Sequence, residues 1–376
     1  MNSRERVITA LNHKEPDKIP IDLNGTNCTS LTELAYVNLR RFLNLEEDKN
    51  PDISTKVMNT VRVREDLLLL YEIDTRTIFM KEPIEATGEI FDDGSFLDTY
   101  GVRWRPALNY YDAIDRPLKE GTIDELKNAR WENAEDKNLV VGLKKKTKKL
   151  FENTKFCLIV DMHSIGPLEG ACMLRGYENF LTDLYINQKY AMALLDRITE
   201  TAMLKWYMLL NEVGNYVQVV SQGDDVGIQT STFISPEMYR KFVKPCHKKI
   251  FNLIHSKTKA KIFYHSCGSV YDLIPDFIDE GADILNPIQR SASKMDIKIL
   301  KKEFGKDINF WGGGIDVQKQ LPFYPLKKIE EEIKRTIEIM APGGGYIFFS
   351  SHNIQSDVSP DKIDCMFKSV IKYRKY

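Results

Sequence analysis

No stretch of this sequence is both long enough and apolar enough to span a bilayer. Its opening residues, MNSRERVITALNHKEPDKIP, hold no apolar core of signal-peptide length. Cysteine is scarce: six in 376 residues, at Cys28, Cys157, Cys172, Cys246, Cys267 and Cys365. So few and so scattered, they do not suggest a disulfide framework, and a reducing, cytoplasmic setting is expected. An excess of charge of one sign is missing too. Lys plus Arg total 53 against 54 Asp plus Glu, a formal net charge of -1. That balance gives no reason to expect a nucleic acid or a membrane surface as partner. The lysines at 144–146 and 148–149 read as one solvated helix face. What remains is an ordinary soluble composition, 43% hydrophobic and 28% charged, able to bury a large core.

The apolar pattern alternates short strands with helices. Strands are expected near residues 18, 72, 156, 216, 260, 283, 308 and 345, with helices between most of them. Strands alternating with helices imply a parallel sheet. Eight of them in this length imply an α/β fold of the (β/α)8 TIM-barrel type, as one domain over residues 1–376. An open doubly wound sheet is the alternative, but no Gly-x-Gly-x-x-Gly follows the first strand. Residues 88–104 alternate around Asp92-Asp93-Gly94, which predicts a β-hairpin. It is read as an insertion, about residues 80–135, between the second and third barrel strands. Thr122 and Glu125 match a capping box, and Ser235-Pro236 a helix start. Pro245 is expected to kink the helix that follows.

In a TIM barrel, catalytic groups collect where strands end. The strand Lys261–Tyr264 runs into His265-Ser266-Cys267. Side chains two apart leave a strand on the same face. A neutral imidazole and a thiolate so placed suit Zn²⁺. Taken alone, the pair also fits a small buried cysteine beside a hydrogen-bonded core histidine. Other predicted strand ends add Asp161 and His163, Asp224 and Asp225, Gln289, Asp316 and His352. His352 is the best third metal ligand, and Asp224 or Asp316 would complete the shell or orient substrate. With three protein ligands and one open position the site would be catalytic. Gly312–Gly314 lies on the active-site face, for a phosphate or for close packing. Gly343–Gly345 lies on the opposite face. The other five cysteines, Cys28 included, are expected to pack as small apolar residues, and Trp104 and Trp131 to pack within the insertion.

Several stretches together resemble the uroporphyrinogen decarboxylase superfamily. They are Gly223-Asp224-Asp225-Val226-Gly227, Ile234-Ser235-Pro236-Glu237, His265-Ser266-Cys267-Gly268, Pro287-Ile288-Gln289, Trp311-Gly312-Gly313 and His352-Asn353-Ile354-Gln355. The likeness spans nearly the whole chain and implies a TIM barrel. True decarboxylases of this superfamily need no cofactor and bind carboxylates with an Arg-rich signature after the first strand. This chain has Asp22-Leu23-Asn24-Gly25-Thr26 there. The other branch resembles methylcobalamin:coenzyme M methyltransferases and O-demethylase methyltransferases. Those bind zinc through His-x-Cys and a later Cys, which here would fall at Gly344. Some use two acids and a His, at spacings that fit Asp316, Glu331 and His352.

The resemblance implies a zinc-dependent methyltransferase. It would move a methyl group between a small donor or acceptor and a corrinoid (methylcobalamin) on a partner protein. His265, Cys267 and His352 would hold zinc, with Asp224, Asp316 and His352 as catalytic candidates. Asn24, His163, Asp225, Gln289, Asn353 and Gln355 would bind substrate. A homodimer is possible by analogy. The alternatives are a metal-free decarboxylase and a non-catalytic barrel that binds a small ligand or corrinoid partner.

Overall fold

A computed structural model of the chain describes residues 1–81, 90–108, 110–162 and 165–376. Its strands in chain order are β1 (Ile53–Thr55), β2 (Thr60–Val61), β3 (Thr75–Phe79), β4 (Phe96–Leu97), β5 (Arg103–Pro106), β6 (Tyr111–Asp115), β7 (Cys157–Asp161), β8 (Val219–Gly223), β9 (Lys261–His265), β10 (Ile284–Asn286), β11 (Asn309–Trp311) and β12 (Tyr346–Ile347). Seven of them form one curled parallel sheet in the order β12-β11-β10-β9-β8-β7-β3. Helices separate successive strands along the chain from β7 onward. This is the expected TIM-barrel architecture.

The predicted first strand, Lys18–Leu23, takes a different form. It makes one parallel bridge, Ile21 to Phe348, rather than a regular strand. Pro20 has no N–H to donate, and the Ile21 N–H goes to the Asp74 carboxylate at 3.0 Å. The segment still closes the ring. Asp22 N donates to Phe348 O on one side, and Asp74 N to Ile21 O on the other, both at 2.9 Å.

Strand alternation fills the barrel. Cys157, Ile159, Val219, Phe263, Ile284, Trp311 and Ile347 form an apolar cluster together with Val7, Ala10 and Leu11. The last three come from the helix Ser3–Leu11, which plugs the end where the strands begin. The same parity, continued two residues up, turns Asp161, Ser221 and His265 into the cavity at the opposite end. The site is thus set by register: interior apolar layers below, polar groups in the layer above.

The insertion lies between β3 and β7, as expected, but is larger than one hairpin. Ile90 bridges Phe96 around the Asp92-Asp93-Gly94 turn. The main sheet is the antiparallel β4-β5-β6, with a turn at Asp98–Gly101. The turn at Gly94 needs φ of +76°, which glycine adopts without a Cβ clash. Gly88 and Glu89 fall outside the described residues.

Thr122 and Ser235 cap their helices, each side chain accepting the N–H three residues on, but the capping box is half made: the Glu125 carboxylate accepts from Lys119, Glu120 and Gly121 N rather than from Thr122 N. Pro245 leaves a subtler mark. Its missing N–H forfeits a helical bond, and the turn before it, Tyr239–Val243, widens into a π-helix before Lys244–Lys257 resumes. The Gly312–Gly314 run serves packing. Its three N–H groups donate to Ile347, Ser350 and Phe349 carbonyls. A Cβ on Gly313 would come within 2.5 Å of Ile288.

Candidate metal centre

His265 is the last residue of β9 and is 7% exposed. Its Nδ1 meets Asn286 Oδ1 at 2.6 Å. The Asn286 amide nitrogen donates in turn to Trp311 O at 2.9 Å. That donation fixes the amide, so its oxygen accepts and His265 Nδ1 carries the hydrogen. The lone pair therefore sits on Nε2, aimed into the cavity, with a second shell of the kind metal-bound histidines have. Cys267 Sγ lies 3.4 Å from that Nε2. Its backbone N–H is held by Asp225 Oδ1 at 2.8 Å. Burial, then Asp225, pushes the Cys267 thiol well above its usual value. Such a thiol stays protonated unless a cation displaces the proton, which zinc does.

Two overlapping trios of donor atoms form around His265. One is Asp225, His265 and Cys267; the other is Cys28, His265 and His352; within each, the ligand atoms lie within 4.8 Å of one another. The His265 and His352 rings sit edge to face with centroids 5.3 Å apart. Burial, and then His265, pulls the His352 imidazole down to about 3, so it is neutral and able to donate a lone pair. Cys28 corrects an expectation: it lines the cavity beside these groups instead of filling the core. The chemistry of the set, imidazole nitrogens with thiol sulfurs, is what zinc prefers.

The donors border two cavities. One, about 390 Å³, is walled by apolar residues such as Met58, Phe96, Trp104, Met162 and Met173. The other, about 420 Å³, is lined by Cys267, His352, Gln289, Asn353, Gln355 and Tyr110. Trp104 and Glu169, both missed as site residues, face the first. Glu169 sits in the first turn of the helix Pro167–Arg175 after β7. Burial, then Asp225 and Asp224, holds its carboxyl well above the usual range, so it keeps its proton. An acid in the first turn after a barrel strand was the available signal.

The remaining expected residues divide. Asp225, Gln289, Asn353 and Gln355 line the two cavities. Gln289 also braces the Cys267 loop, accepting from Gly268 N at 2.7 Å. Asn24 is a buried brace: its oxygen accepts from Val63 N at 3.0 Å. Asp316 is not brought to the donors. Its carboxylate accepts from Lys319 N at 2.7 Å. Glu331 is exposed on the helix Leu326–Met340. Gly344 packs on Lys14 at the plugged end, before β12, so a cysteine there would not reach His265. His163 lies outside the described residues.

Asp224 points away from the cavity and is fully buried. It accepts from Leu168 N at 3.0 Å and Glu169 N at 2.7 Å, and meets His247 Nε2 at 2.7 Å. Glu280 lies 3.3 Å from the other His247 nitrogen, and Tyr239 donates to Glu280 at 2.7 Å. Burial lowers the His247 pKa, but hydrogen bonds to Asp224 and Glu280 outweigh it and raise it from 6.5 to about 9. The folded protein therefore holds this proton where the unfolded chain has released it. The resulting stability is present below pH 6.5 and is lost as pH rises toward 9. Chemical denaturation should show stability on the order of 2–3 kcal/mol lower at pH 9.5 than at pH 6, with His247→Gln flattening the profile. A wild-type profile no steeper than that of the variant would contradict it.

Residues 116–373 match the family model described as uroporphyrinogen decarboxylase (URO-D). The chain belongs to this family. The matched stretch carries β7 to β12, with His265, Cys267 and His352; Cys28 precedes it. The uroporphyrinogen decarboxylase of Bacillus cereus (strain B4264) is 23% identical over 230 residues, 60% of this chain and 58% of that one. The Bacillus anthracis protein of the same name is 24% identical over the same shares. The chain thus spans 58% of the length of these relatives. Among solved structures, a methyltransferase from Methanosarcina mazei superposes with a TM-score of 0.63 at 16% identity, covering 99% of both chains. That likeness is one of fold. No helix of the described residues is long and apolar enough to cross a membrane.

The URO-D barrel makes Asn286 a testable support. Asn286→Ala frees the His265 ring to rotate and to change tautomer. If the donor cluster holds zinc, its affinity, measured by chelator competition, should fall roughly 10- to 100-fold. Unchanged affinity would show that the Asn286 contact does not orient a ligand.

Proposed function

We propose that this protein is a zinc-dependent methyltransferase. It moves a methyl group between a small methylated substrate or acceptor and a corrinoid carried by a partner protein. The observation that carries the reading is the donor cluster: His265 Nε2, with its tautomer fixed by Asn286, faces Cys267, Cys28 and His352 at the cavity. His265, Cys267 and His352 would hold the metal. Zinc bound there supplies a Lewis acid toward the heteroatom that carries or receives the methyl group. The chain's own residues do the rest. Asp225 positions the Cys267 loop through its backbone N–H. Glu169 holds a proton at its carboxyl, facing the cavity where a leaving heteroatom would need one. The apolar wall of Met58, Phe96, Trp104 and Met162 keeps water from the reacting groups.

A porphyrinogen with many carboxylates fits this cavity poorly. Its acidic lining is Asp98, Glu132, Asp161 and Asp225, beside the protonated Glu169, against Lys56, Lys81 and Lys205, with no arginine among its described lining residues. At about 390 Å³ it suits a small molecule. The test is methylation of reduced cobalamin by the zinc-loaded protein with a panel of O-, N- and S-methyl donors. Methylcobalamin with thiol acceptors tests the reverse direction. Methyl transfer in either direction is expected. Uroporphyrinogen turnover by metal-free protein would overturn the proposal in favour of the decarboxylase. Tight ligand or corrinoid binding without turnover would favour a binding barrel.

A further inference from the structure

Cys267 gives the centre described so far one sulfur beside His265. Another cysteine reaches His265. Cys28 Sγ, a His265 nitrogen and a His352 nitrogen all lie within 4.8 Å of one another. A tetrahedral zinc has ligands about 2.0–2.3 Å from the metal, so its donors stand roughly 3.5 Å apart. Metal binding would draw these three donors closer, together with Cys267, which groups with His265 and Asp225.

The loop carrying Cys28 is held in place from several sides. Asn27 N donates to Asp161 Oδ2 at 2.8 Å, and Thr26 N to Thr29 Oγ1 at 2.9 Å. Asn24 takes a φ of +60° to turn the chain into the loop and accepts from Val63 N. Gly25 packs so closely on Asp22 that a Cβ would lie 2.4 Å from its carboxylate. Most telling is the link to the other donor loop. Ser30 N donates to Asn353 Oδ1 at 2.8 Å, and Leu31 bridges Ile354. Cys28 and His352 therefore sit on loops tied to each other two residues, and one residue, past the donors.

We infer that Cys28 is a metal ligand, supplying the second thiolate of the centre from the loop that follows the barrel-closing segment. The inference rests on the zinc reading above. On binding, the Cys28 S–H proton leaves to solvent and the sulfur takes the metal as the thiolate. Sequence pattern hid this residue because an irregular loop has no periodicity to show which way a side chain faces.

Cobalt-substituted full-length protein gives the test, since sulfur-to-cobalt charge-transfer absorption reports bound thiolates directly. Wild type should show the absorption of two thiolates. Cys28→Ser should lose about half of it and bind metal more than roughly 100-fold more weakly, beyond the 10- to 100-fold that second-shell changes bring. Cys28→His should recover affinity without recovering the band, and Cys365→Ser, on the last helix, should change neither. X-ray absorption of the wild-type zinc protein counts the sulfurs without any variant, and two are expected. Metal bound with one sulfur, or a full band in Cys28→Ser, would overturn the role of Cys28 alone. No zinc or cobalt bound by wild type would overturn the zinc reading with it.

Discussion

Under the proposed zinc-dependent methyl transfer, Cys267→Ala is expected to lower the rate by roughly a thousandfold or more while the fold survives, because a Lewis-acid metal would contribute several kcal/mol and each 1.36 kcal/mol is tenfold in rate. The side chain lies past the end of β9, where no strand partner depends on it. What its backbone does for the structure, donating to Asp225, the alanine keeps. What is lost is the sulfur 3.4 Å from His265 Nε2. Circular dichroism and thermal unfolding should therefore match wild type while methylation of cobalamin nearly stops. Methyl transfer within tenfold of wild type would remove Cys267 from the chemistry and, with it, the pairing that the His-x-Cys motif suggested.

Asp224→Ala should act in the opposite way, on the fold first. The carboxylate caps the helix Pro167–Arg175 through two N–H groups and balances buried His247. Removing one partner of a buried ion pair costs about 3–5 kcal/mol, since the other charge is left without compensation. Asp225→Ala, one residue on and partly exposed, lacks that burden and should cost far less. Urea unfolding of the two variants separates them. Equal small losses, with activity lost only in Asp224→Ala, would return Asp224 to the catalytic role that its place after a barrel strand suggests.

That contrast shows where sequence stops being informative. The alternation of strands and helices was legible because the barrel repeats it, and so was His265, whose parity with Phe263 is set inside a regular strand. Asp224 and Asp225 follow the end of β8, and beyond a strand end the alternation rule no longer says which carboxylate faces the mouth. Asp225 does, and Asp224 caps a helix. Asp316 reads like a rim acid but turns back onto the N–H groups of its own loop. Cys28 and Glu169 were missed for related reasons. One lies in an irregular loop, the other in a helix whose first turn reads as ordinary capping. The barrel-closing segment was placed correctly but does not form a strand, because Pro20 and the Asp74 carboxylate divert its hydrogen bonds.

The most direct test of the account is metal content. Protein purified without chelator should carry about one zinc per chain by elemental analysis, as a single mononuclear site requires. A His265→Ala, Cys267→Ala double variant, still folded, should carry none. Zinc absent from wild type, or retained in the double variant, would contradict the centre proposed around His265 and leave its imidazole and thiol as structural groups.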